Sequence, residues 1–198
     1  MQMTGSPLEE SGAAEVTDAQ LVRGVKRGRK ECFDQLVLRY QRMIYAITRR
    51  MTSNHHDADD LAQETFLAAY RAMGRFDEQK SFPAYLSRIA INLSINHLRR
   101  RKRWLKVLSR GSGEAEGGLA MARSGDLHKN LEHKELMNSL EMAMETLPPH
   151  QKAVLILKVY QELSYQEIAD ALGISLGTVM SRLHRARNHL RTQLKGLL

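Results

Sequence analysis

The chain has 198 residues, with 30 Lys and Arg against 22 Asp and Glu for a formal charge of +8. That length holds one domain or two small ones, and the positive balance favours a polyanionic partner over an acidic-patch protein. Apolar runs such as AVLIL at 153–157 fall far short of the roughly 20 residues that span a bilayer, and a single cysteine excludes an intrachain disulfide and cysteine-rich zinc modules.

The first residues, MQMTGSPLEESGAAE, are acidic and polar without the basic-then-apolar order of a secretory signal. A cytoplasmic protein without membrane insertion is expected, and residues 1–17 read as a disordered tail. Asp18 is a candidate cap for a first helix. Apolar residues then recur at spacings of three and four: Leu21 and Val25, then Phe33, Leu36, Val37 and Tyr40, then Ile44 and Ile47. Gly28 separates two helices in this reading, and Cys32 falls in the apolar-rich run ECFDQLVLRY as a buried, inert thiol. TSNHHDADDLAQETFLAAYRAM opens with capping residues and places acids in its first turn, where the helix dipole favours them; its helix should end at Gly74. After the polar loop GRFDEQKS comes PAYLSRIAINLSINHLRRRKRW, with proline near its start and cations at its end.

From Leu105 to about Leu131 the large apolar period fades into SRGSGEAEGGLAMARSGD, the composition of a flexible linker. Periodicity resumes in LEHKELMNSLEMAMETL, breaks at Pro148 and Pro149, and resumes in HQKAVLILKVYQ. The expectation is an all-α protein: a tail at 1–17, a helical domain at 18–104, a linker at 105–131 and a second helical domain at 132–198.

The stretch SYQEIADALGISLGTVMSRLHRAR has the ingredients of a helix-turn-helix: a small residue where helices cross, a residue that tolerates positive φ in the turn, and apolar residues that lock the pair. Ala169, Gly173 and the set Ile168, Leu172, Ile174, Val179 and Leu183 supply them. On the second helix Val179, Leu183, Ala186 and Leu190 share one face, which leaves Thr178, Ser181 and Arg185 outward with Arg182 beside them. That outward set is short, polar and cationic, as groove contact requires. The cationic run HLRRRKRW fits a helix terminus as well as it fits nucleic acid. Phe76, Phe82 and Tyr85 lie upstream of it, and aromatics beside cations can hold unstacked bases.

DADDLAQETF, then RF followed by SFPAYLSRIAINL and an arginine run, then LPPHQKAVLILKVYQELSYQEIADALGISLGTVMSRLHRAR resemble the two conserved regions of bacterial sigma factors of the extracytoplasmic-function branch. The resemblance runs from Asp18 to Leu194 apart from the linker. It implies a dissociable, non-enzymatic RNA polymerase subunit, needing no cofactor, that selects promoters and helps to open them. It further implies that Asp60, Gln63 and Glu64 dock on the clamp helices of the largest polymerase subunit, with the flap as a second contact. Phe76, Asn92 and Tyr85 would hold the melted downstream promoter element, and Thr178, Ser181, Arg182 and Arg185 would read the upstream element as duplex. The linker would thread through the polymerase, and an anti-sigma factor would mask both domains. Two positions depart from the usual family pattern: Met180 stands where an arginine is common, and Tyr85 where tryptophan is common.

Two other readings exist. NHHDADD, residues 54–60, resembles the His-Asp pairs of metal-dependent phosphohydrolases, although capping and dipole already explain its acids. The C-terminal helix-turn-helix also suits a conventional repressor or activator.

Overall fold

The computed structural model describes residues 16–111 and 131–195, and among these the chain forms eight α-helices and no strand. The first fifteen residues of the expected tail and residues 112–130 of the expected linker lie outside the described residues.

Helix α1, Asp18–Lys26, is capped by Thr17 in a capping box with Gln20: the Gln20 amide donates to Thr17 Oγ1 at 3.3 Å, and the Thr17 amide to Gln20 Oε1 at 2.8 Å. The cap is therefore one residue earlier than the sequence suggested. Asp18, released from that role, accepts hydrogen bonds from the Tyr40 hydroxyl and the Arg39 guanidinium and ties α1 to the next helix. Burial, with the Asp18 hydrogen bond second, pushes the Tyr40 phenol up to about 12. Gly28, at φ +86, makes the reversal into α2, Lys30–Thr52. The two helices approach closely at Gly24, where a Cβ would lie 2.3 Å from Cys32 Sγ. Cys32 itself is half-buried, not fully enclosed, because it spaces α1 from α2 at their edge.

Leu36, Ile44, Ile47 and Met51 line the buried side of α2. Helix α3, His55–Ala72, starts at Asn54, whose side chain accepts from the Asp57 amide at 3.1 Å. Thr48 Oγ1 on α2 donates to the Ala58 carbonyl at 2.9 Å and fixes the crossing of the two helices. A 3-10 turn, Met73–Arg75, contains the expected stop at Gly74. Helix α4, Phe82–Gly111, then returns over the core with Leu86, Ala90 and Ile91 inward. It continues through Leu105 to Gly111 in a stretch read from the sequence as linker. LeuLysValLeu after Trp104 has no core to face, yet it holds only good or tolerable helix formers until that glycine.

The second half comprises α5, Leu131–Glu145; α6, Pro149–Tyr160, with proline at its first position; α7, Tyr165–Leu172; and α8, Leu176–Leu194. Ser164 and Glu167 form a capping box at the start of α7, and Ser175 caps α8. Gly173 turns between them at φ +64. Val179, Leu183 and Ala186 of α8 are buried with Ile168 and Ala169 of α7, which completes the helix-turn-helix expected from the sequence. Helix α6 packs on α7 and α8 and also touches α2 and α4, while α7 touches α4, so the two halves are in contact.

The α7 cap is testable by Ser164→Ala. Loss of an N-cap side chain costs about 0.5–2 kcal/mol, and the expected result is a lower denaturation midpoint with native helicity retained below it.

Candidate nucleic-acid interface

The faces that could meet another macromolecule are the backs of helices whose other sides build the core. On α4, Tyr85, Arg88, Asn92, Asn96, Arg99 and Arg103 recur at three and four residues and form one stripe, opposite buried Leu86, Ala90, Ile91, Ser94 and Ile95. Asn92 is exposed near the middle of this stripe, with its amide able to donate and accept at a base edge. Toward the helix C-terminus, Asn96, Arg99, Arg100, Lys102, Arg103 and Lys106 line an open basic concavity. Arg88 and Asn96 escaped the sequence reading, although their four-residue spacing on either side of Asn92 was the available signal.

Phe76 lies inside the loop cluster. Its ring is only 7% exposed and packs edge-on to Phe82, with centroids 5.5 Å apart, and against Tyr85 at 4.7 Å. Its carbonyl accepts a 2.7 Å hydrogen bond from Lys26 Nζ, which clamps the loop to α1. A base cannot stack on a ring already covered on these sides, so in this conformation Phe76 shapes the loop. Tyr85 is half-buried on the same cluster, and burial raises its phenol.

On α8, Ser181 and Arg185 are exposed, while Thr178 and Arg182 are half-buried. Thr178 Oγ1 lies 2.8 Å from the Ser175 hydroxyl at the helix cap, so part of its hydrogen-bonding capacity serves the turn. Arg182 lies near His150, whose pKa is lowered by burial first and by the charges of Arg182 and Arg99 next. Met180 is exposed, at 48%, on the outward side.

A third face has the opposite charge. Asp60, Gln63 and Glu64 are all exposed on α3, behind buried Ala58, Leu61, Thr65 and Phe66. The carboxylate of Asp60 lies 3.4 Å from His56 Nδ1 on the same helix. The remaining members of the NHHDADD cluster point to separate partners. His55 Nδ1 meets the Tyr45 hydroxyl at 2.7 Å, and Asp57 lies 3.3 Å from His97 Nε2 and 3.8 Å from Arg101 Nη1. Among the described residues no three His, Cys, Asp or Glu side chains converge as a metal site.

Two exposed basic faces, one on a long helix and one on a helix-turn-helix, are joined in one chain with an exposed acidic stripe on α3. The sequence matches Sigma-70 region 2 over residues 36–104 and Sigma-70, region 4 over residues 137–190. It is 36% identical to the RNA polymerase sigma-H factor of Pseudomonas aeruginosa over 91% of this chain and 95% of that one. It is also 36% identical to the ECF RNA polymerase sigma factor SigW of Bacillus subtilis, over 89% and 96%. This chain belongs to the extracytoplasmic-function (ECF) sigma factor family.

Solved structures agree in fold. CnrH in complex with the cytosolic domain of CnrY aligns with a TM-score of 0.63 at 26% identity, over 90% of this chain and 97% of that one. The sigma factor RpoE of Bartonella quintana, solved with the anti-sigma factor NepR, gives 0.63 and 26% over 82% and 96%. As a sigma factor the protein binds core RNA polymerase and directs it to promoters; it is an initiation subunit, not a catalyst. Helices α1 to α4 contain its region 2 and α5 to α8 its region 4.

The packing role of Phe76 can be measured directly. Truncating a buried phenylalanine to alanine costs about 3–5 kcal/mol, so Phe76→Ala should shift urea unfolding by that amount and depress core binding and transcription together. Native stability combined with a selective loss of promoter opening would return Phe76 to the DNA.

Proposed function

We propose that the three faces divide the work of this ECF sigma factor. The stripe of Asp60, Gln63 and Glu64 on α3 docks on the clamp helices of the largest polymerase subunit. The α4 face holds the downstream promoter element as melted single strand, with Asn92 at a base edge and Tyr85 beside it. Helix α8 reads the upstream element as duplex through Thr178, Ser181, Arg182 and Arg185. The segment between the halves threads through the polymerase, and region 4 also meets the flap.

The observation that carries this reading is the charge segregation. Exposed carboxylates on α3 sit in a chain of net charge +8 whose α4 and α8 faces are cationic. Acidic groups on a basic protein repel DNA and suit a cationic protein surface, where they steer association as well as hold it. Single-strand capture needs a polar group able to satisfy an unpaired base edge, and the exposure of Asn92 supports that role.

Regulation by an anti-sigma factor is part of the proposal, because both solved relatives described above were captured with such partners or with a cytosolic domain. Its site of action in this reading is the cytoplasm, where polymerase and promoter are found; no described helix is long and apolar enough to cross a membrane.

The decisive experiment is transcription in vitro with core polymerase, with and without the protein, and sequencing of the transcript starts. Within that assay, Asp60→Lys combined with Glu64→Lys is expected to weaken core binding at least tenfold with helicity unchanged. A titration giving equal affinity would remove α3 from the docking surface.

Asn92→Ala is expected to spare folding, core binding and duplex engagement while blocking stable opening. Loss of a base contact costs about 1–3 kcal/mol. A template mismatched open across the downstream element should therefore restore much of the activity. Permanganate reactivity of unpaired thymines equal to wild type on the closed template would sink the capture role.

A further inference from the structure

The apolar row that α8 buries also determines what lies on its far side. Val179, Leu183, Ala186 and Leu190 turn inward and pack in the core cluster. A row displaced by two residues along a helix is turned by about 200°, which places it on the opposite face. That row is Gly177, Ser181, His184 and Asn188, and all four residues are exposed. The neighbouring row, by contrast, leans back on the domain. Thr178, Arg182 and His189 are half-buried, Thr178 is engaged with Ser175, and His189 Nε2 lies 2.7 Å from the Thr146 hydroxyl beyond the end of α5.

Charge is arranged symmetrically about this far row. Arg182 and Arg185 flank it on one side, and Arg187 and Arg191 on the other. A helix seated in a major groove about 12 Å wide sets its central row over the base edges and its two flanks against the phosphate walls. The distribution on α8 fits that setting, with cations at the flanks and uncharged or small side chains at the centre. Gly177 adds to the fit. A Cβ there would meet no atom of the described protein within 4 Å, so the fold does not require glycine, and its bareness lets an outside surface come close to the start of the helix.

The central row carries one ring with a set hydrogen-bonding direction. His184 Nε2 lies 2.8 Å from Asn188 Nδ2, one turn along the helix. An amide nitrogen donates, so Nε2 accepts, and a neutral imidazole in that arrangement holds its proton on Nδ1. Asn188 thereby orients the ring and leaves it one donor for an outside acceptor. In the major groove cytosine shows a donor, adenine sets a donor beside its acceptor, and thymine sets a methyl group beside its own; guanine alone shows two acceptors, N7 and O6.

We propose that His184, positioned by Asn188, reads a guanine of the upstream promoter element by donating from Nδ1, while the arginines on the two flanks hold the phosphate walls. His184 is then a determinant of promoter choice in addition to Thr178, Ser181, Arg182 and Arg185. The inference rests on α8 being the duplex reader.

The test uses holoenzyme assembled with the full chain and a promoter library randomised across the upstream element, with the bound fraction sequenced. His184→Ala is expected to lose a guanine preference of about tenfold at one position and to leave the other positions as they were. His184→Gln should move that same position toward adenine, whose N6 and N7 match a side-chain amide. Asn188→Ala should weaken the guanine preference severalfold without moving it, as befits a positioning residue. Arg187→Ala should lower binding to every sequence alike and flatten the salt dependence by about 0.9 in log–log slope. If His184→Ala instead weakened all sequences equally with a flatter salt slope, the residue would be a phosphate contact and the proposal would fall. Unchanged preferences, or a preference lost at a base other than guanine, would overturn it as well. Altered preferences in Ser181→Ala or Arg185→Ala but not in His184→Ala would overturn this inference alone. No altered preference in any of the three would overturn α8 as the reader.

Discussion

Burial of one apolar stripe on α2, formed by Leu36, Ile44, Ile47 and Met51, holds α1, α3 and α4 around a common axis. Each such side chain contributes about 1.5–3 kcal/mol when withdrawn from water. By comparison the Lys26–Glu78 ion pair, at 3.1 Å with both side chains partly in solvent, contributes at most about 1 kcal/mol. The apolar contact therefore decides where the helices lie, and the polar contacts adjust their ends. Thr48 illustrates the second role: its hydroxyl bond to the Ala58 carbonyl sets the crossing of α2 and α3 without being the reason they cross.

The functional faces inherit their geometry from that packing. A helix has one rotational setting once its apolar side is committed, and the residues at three and four on its back are then fixed in direction. On α3 this leaves carboxylates outward, on α4 amides and guanidinium groups, and on α8 a short polar set with arginines. None of these side chains needs a strained backbone. Among the described residues the positive-φ positions are Gly28 and Gly173 in turns, with Ser53 and Glu162 just past the ends of α2 and α6. The binding surfaces are thus a by-product of stable folding, and their chemistry can change with little effect on the core.

That separation explains what the sequence revealed. The helices, the Gly28 reversal and the helix-turn-helix were legible because apolar spacing and turn glycines are local signals, and Val179, Leu183 and Ala186 sit where their spacing put them. The surroundings of Phe76 were not legible, because an aromatic next to cations looks the same whether its ring faces a base or a core; Phe82 and Tyr85, brought over it by α4, pack against its ring. The end of α4 was missed because Leu105, Val107 and Leu108 are exposed there and show no buried apolar period. Lys152, buried on α6, gave no warning at all. A lysine between His150 and the run AVLIL reads as a solvated position, and its burial comes from α2, about a hundred residues away in the chain.

The close approach of α1 and α2 divides the first helix into positions that can drift and one that cannot. Arg23 faces solvent, so exchanges there alter charge and little else. Gly24 is different, since even a methyl group would meet the Cys32 sulfur at 2.3 Å. A larger residue at 24 must be accompanied by a smaller one at 32 or by a shift of the whole helix, which would strain the Asp18 contacts to Tyr40 and Arg39 at its other end. The side chain tolerated at position 24 therefore depends on the one at position 32.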